Sequence, residues 1–71
     1  MSDPRAQAEV LDMLARDQDN EAAMHGHLAN MPSAHDQYRD QQREVVRLHN
    51  HKAEALRAGA DALRKLSDQK Q

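Results

Sequence analysis

Apolar residues recur along the first half of the chain at Val10, Leu14, Met24, Leu28 and Met31. Adding positions 17 and 21 turns this into alternating steps of four and three, the spacing of one face of a helix. A second series runs through Tyr38, Gln42, Val45, His49, Lys52, Leu56, Gly59, Leu63 and Leu66. Leu11 widens the first face near its start, and Val46 and Leu48 widen the second. Between the two series lies Asn30-Met31-Pro32-Ser33, the strongest interruption after Pro4.

The punctuation has a physical basis. Asp3 can accept a hydrogen bond from the first free backbone N–H groups, and Pro4 suits the first helical position. Pro32 disfavours helical geometry at Met31, and Asn30 tolerates the left-handed conformation that often closes a helix. Ser33 and Asp36 form a capping-box-like pair for the next helix. The pattern predicts helix over about 4–30, a turn at 30–33 and helix over about 34–67. All 71 residues then form one all-α domain, a two-helix antiparallel hairpin.

Folding back about Pro32 sets residue i level with roughly residue 66 − i, because both helices rise equally per residue. Asp17 then meets the level of His49, and Leu14 that of Lys52. The polar members of both faces, Asp17, Glu21, His49 and Lys52, are expected to form a polar layer. Such a layer fixes register or partner choice in coiled coils; the plainer reading is a bundle that is wet at its middle. The run Ala53, Ala55, Ala58, Gly59, Ala60 and Ala62 permits close helix approach.

Composition adds a requirement. There is no cysteine and one aromatic residue, Tyr38, so neither disulfides nor a large aromatic core can stabilise the fold. Two helices alone bury only one side of each. Completion by self-association, with a dimer the simplest form, or by a protein partner is expected. The best apolar candidates for that surface are Leu11, Met13, Val46, Leu63 and Leu66.

Charge is split between the arms. Residues 1–31 hold six acidic and two basic side chains, and residues 32–71 hold six acidic and eight basic ones. The arms therefore attract, within the limits of ionic screening. The net charge of −2 argues against a general nucleic-acid binder. Arg39, Arg43 and Arg47 form a basic face, but Asp36, Asp40 and Glu44 precede them by three residues and can neutralise it.

Five histidines raise the question of metal. His25 and His27, like His49 and His51, are spaced i, i+2, which points their rings about 200° apart on a helix. The best helical pair is Glu21 with His25. His49 and His51 are placed about 20–25 Å further from the hairpin tip at 1.5 Å per residue. Solvated or partner-contacting histidines are the better reading, and no metal site or cofactor is expected. A pH response through His49 opposite Asp17 is a further possibility.

No catalytic motif is present: there is no cysteine nucleophile or glycine-rich phosphate loop, and the serines fall at ends or turns. No apolar run reaches the ~20 residues of a membrane span, and residues 1–5 lack the apolar stretch of a secretory signal. The expectation is a cytoplasmic, non-enzymatic protein–protein interaction module without a small-molecule substrate. The candidate roles are inhibitor or adaptor of a larger protein, or a small assembly component such as part of a phage virion. In the viral case it would reside in the host cytoplasm or the virion. The alternative is a dimeric nucleic-acid-associated regulator using Arg39, Arg43 and Arg47. A third reading is a histidine-based metal or pH-responsive module.

Overall fold

A computed structural model describes residues 3–69, which form two α-helices packed as an antiparallel hairpin. Helix α1 spans Pro4–Ala29 and helix α2 spans Asp36–Gln69. The molecule is a rod of 55 × 15 × 13 Å. At 1.5 Å per residue, the 34 residues of α2 account for nearly all of that length.

The start of α1 follows the expected chemistry. Asp3 is extended, with φ −65° and ψ 130°, and its carboxylate accepts a hydrogen bond from the Arg5 N–H at 3.1 Å. The end closes differently. Asn30 sits at φ −95° and ψ 4°, outside the left-handed region, and no described residue has a positive φ. Its N–H instead shares the carbonyls of Gly26 at 3.2 Å and His27 at 3.1 Å. Bifurcated bonds of this kind satisfy the last helical acceptors without a left-handed residue.

Helix α2 begins at Asp36, two residues later than the sequence pattern indicates. Its first free acceptor is the His35 carbonyl, which takes the Arg39 N–H at 2.9 Å. Ser33 and Ala34 belong to the connection, where the Ala34 N–H meets the Met31 carbonyl at 3.1 Å. The Ser33–Asp36 capping arrangement therefore does not start the helix. Arg39 secures the connection instead, donating from its guanidinium to the carbonyls of Met31 at 3.1 Å and Pro32 at 3.4 Å.

The packing seam is built from alanine. Ala8, Ala15, Ala22 and Ala29 of α1 are all buried, as are Ala53 and Ala60 of α2. Each set repeats every seven residues, so each occupies one stripe of its helix. Leu11, Gln18 and His25 fill the alternate positions on α1, and Gln42, His49, Leu56 and Leu63 do so on α2. The seam thus lies one residue beyond the predicted one at every step of α1, and at every other step of α2. Four α2 positions, Gln42, His49, Leu56 and Leu63, are common to both.

The difference has a simple cause. A methyl side chain lets the helix axes approach closer than the about 8–10 Å that larger side chains impose. Close approach then pushes the bulky residues out of the seam. Val10, Met13, Leu14, Met24, Leu48 and Leu66 are each at least 44% exposed. Gly59 lies under Leu11, whose Cδ1 would come within 3.2 Å of a Cβ built there.

Candidate functional site

The two edges of the rod differ in chemistry. At 100° per residue, Asp12 and Asp19 lie on one flank of the α1 seam, and Val10, Leu14 and Leu28 lie on the other. On α2, Arg57 and Arg64 flank the seam on one side, with Val45 and Leu66 on the other. Antiparallel pairing brings like flanks together. One edge is therefore a ladder of interhelical ion pairs: Arg64 with Asp12, Arg57 with Asp19, and Arg5 with Asp68 at 3.5 Å. The hydrogen bond to Asp19 raises the Arg57 pKa above its ordinary value, and that to Asp12 does the same for Arg64. A raised cationic pKa stabilises the fold at every pH below the ordinary arginine range. The arginines thus provide no switch near neutrality.

The opposite edge is apolar toward both ends, with Glu21 and Lys52 between. Gln7, Val10, Leu11 and Leu63 line a shallow groove of about 360 Å³ that spans both helices near the open end. Two proposed contact residues, Leu11 and Leu63, are half-buried in its walls. Leu66 continues beyond it and is 51% exposed. Met13 is 63% exposed and faces away from α2. Val46 belongs to the seam and faces Gly26, at 3.9 Å from a Cβ built there. The structure therefore gathers Leu11, Leu63 and Leu66 on one edge and separates Met13 and Val46 from them.

A polar layer exists at mid-height, with membership different from the predicted one. Asp17, Glu21 and Lys52 are exposed, and His49 alone of that set lies in the seam. His49 Nδ1 is 2.5 Å from the Gln18 side-chain oxygen, and His25 Nδ1 is 2.5 Å from the Gln42 side-chain oxygen. An amide oxygen only accepts, so each imidazole donates from Nδ1. These bonds set residue i level with residue 67 − i, which also brings Ala8 near the height of Ala60 and Ala15 near that of Ala53.

The two imidazoles stack, with centroids 5.6 Å apart and planes 11° from parallel. This overturns the wide separation inferred from helix rise. Register leaves His25 about 10 Å along the axis from the level of His49. Helical side chains lean toward their own N-terminus, so in antiparallel helices these two lean toward each other and close the gap.

Glu21 completes the group. Its carboxylate is 3.9 Å from His25 Nε2. One ligand atom from each of Glu21, His25 and His49 lies within 4.8 Å of the others. The sequence does carry a signal for this layer. The pattern Gln-x6-His-x-His occurs at Gln18/His25/His27 and again at Gln42/His49/His51. Folding such a duplicated pattern back on itself sets each histidine against the other copy's glutamine.

The basic face is largely self-engaged. Arg43 pairs with Asp40 at 3.6 Å and Arg47 with Glu44 at 3.3 Å, both along the helix. Arg39 turns into the connection rather than outward.

No helix among the described residues is long and apolar enough to cross a membrane. Comparison with protein-family models finds no match, and neither the curated proteins nor the solved structures provide one.

Proposed function

We propose that the protein is a non-enzymatic interaction module that closes its apolar edge against a second copy, forming a four-helix bundle. The observation that carries this reading is the segregation of side chains. Alanine recurs at every second step of most of the internal seam, and Val10, Leu14 and Leu66 remain exposed along one edge. Exposed apolar patches of this kind, here lying on either side of Glu21 and Lys52, mark interaction surfaces.

The surface area supports the same reading. A compact monomer of 8.1 kDa exposes about 4,500 Å² by the usual scaling with mass. This chain exposes 5472 Å². The excess of roughly 1,000 Å² is of the size that a specific interface removes. The charged ladder on the other edge would stay in water and remain available to a larger protein. Adaptor, inhibitor and assembly-component roles are all compatible with such a dimer. A nucleic-acid role through Arg39, Arg43 and Arg47 receives no comparable support, since their charges are occupied nearby.

Light scattering coupled to size-exclusion chromatography tests the proposal. A dimer at micromolar concentration, with a melting temperature that falls on dilution, is the expected result. A single copy that melts cooperatively at a temperature independent of concentration overturns it.

A further inference from the structure

We propose that Glu21, His25 and His49 form a binding site for a divalent transition-metal ion of the zinc class. Both histidines would bind through Nε2 and Glu21 through a carboxylate oxygen. The site stands on the geometry of a single chain and does not require the bundle proposed above.

The tautomers carry the inference. His25 and His49 each donate from Nδ1, to the side-chain oxygens of Gln42 and Gln18 respectively, with nitrogen and oxygen 2.5 Å apart in both. In the neutral imidazole, the Nε2 lone pair is then free for a metal. Metal-binding histidines characteristically donate their other ring N–H to an oxygen, which fixes ring orientation and raises ligand basicity. Here the arrangement occurs twice, from opposite helices, with the rings already stacked 5.6 Å apart.

The third ligand supplies charge. Glu21 lies one turn before His25 on α1, so both point to the same side of the helix. At the corresponding place in the second copy of the pattern stands Val45. The layer therefore has two imidazoles and one carboxylate. That set favours zinc and its neighbours over calcium or magnesium, which prefer oxygen ligands. Zinc–ligand distances of about 2.0–2.2 Å place tetrahedral ligand atoms about 3.3 Å apart. Ligand atoms now within 4.8 Å of one another would draw in by about 1–1.5 Å, a movement that side-chain rotation supplies. The His25 side chain is 22% and the Glu21 side chain 52% exposed, so an ion can enter and water can fill its remaining position.

Untagged protein titrated with Zn²⁺ against a chromophoric chelator tests the site. One ion per chain is expected, with affinity falling as pH drops and protons compete for Nε2. His25→Gln and His49→Gln should each weaken binding at least tenfold, and Gln18→Ala or Gln42→Ala by about 10–100-fold. His27→Gln and His51→Gln should leave it unchanged. Circular dichroism establishes that each variant remains helical. Nitrogen-15 NMR of the histidine rings in unsubstituted protein gives an independent readout, with zinc shifting Nε2 of His25 and His49. Absence of stoichiometric binding overturns the proposal. So do zinc-induced shifts confined to His27, His35 and His51.

Discussion

Alanine at a seven-residue interval decides how this chain packs. At Ala15 and Ala53 only 1% of the residue surface remains exposed, so no space is left for a larger side chain. Ala53→Leu should force the helices apart and lower stability by about 1–3 kcal/mol, the usual range for overpacking. A chemical-denaturation curve measures it. Gly26 behaves in the opposite sense. Gly26 lies inside α1, and a Cβ there meets Val46 at 3.9 Å, an ordinary contact. Gly26→Ala should therefore gain about 0.5–1 kcal/mol from helix propensity. In a protein of this size, that appears as a rise of several degrees in Tm.

These residues also show which side chains the sequence made legible. A search for bulky apolar periodicity selects Val10, Leu14 and Met24, because burial is usually greatest for large side chains. Alanine carries little hydrophobic signal, so its strict recurrence at 8, 15, 22 and 29 is hidden within the same pattern. His49 was legible as a polar seam residue. Its partner Gln18 was not, because a one-residue shift in the seam exchanges Asp17 for its neighbour.

At the scale of the element, the helices themselves were legible because Pro4 and Pro32 punctuate them and few residues oppose helix between. The start of α2 was less so. Arg39 and the His35 carbonyl organise that end, and neither follows from local propensity. The ion-pair ladder joins the helices on one edge, yet its members are exposed or only partly buried, and pairs so open to water are screened by salt. The double substitution Arg57→Ala/Arg64→Ala should destabilise the hairpin modestly at low ionic strength. The difference from the unsubstituted protein should shrink in 1 M salt, as followed by thermal melts in both buffers. A loss independent of salt would assign these arginines a packing role through their aliphatic stems.

At the scale of the whole molecule, the hairpin is a rod with a hydrophobic edge and a charged one. Leu14 and Leu66 are 44% and 51% exposed on the hydrophobic edge, distant from the ion pairs. Leu14→Lys/Leu66→Lys should convert the proposed dimer to monomer in light scattering and preserve the circular-dichroism spectrum of a helix. The hairpin was legible at this scale because two helices and one short break allow few other arrangements. The assignment of edges was not, since it depends on which stripe enters the seam.

That separation of edges also limits growth. If two such rods meet through their oily margins as proposed, each would hide its main adhesive strip, and the outward margins would carry alternating charges that hold water. A third rod would then find no matching strip. The same asymmetry that leaves the lone chain sticky would thus make its pairing self-terminating, a closed couple rather than the first step of a fibre.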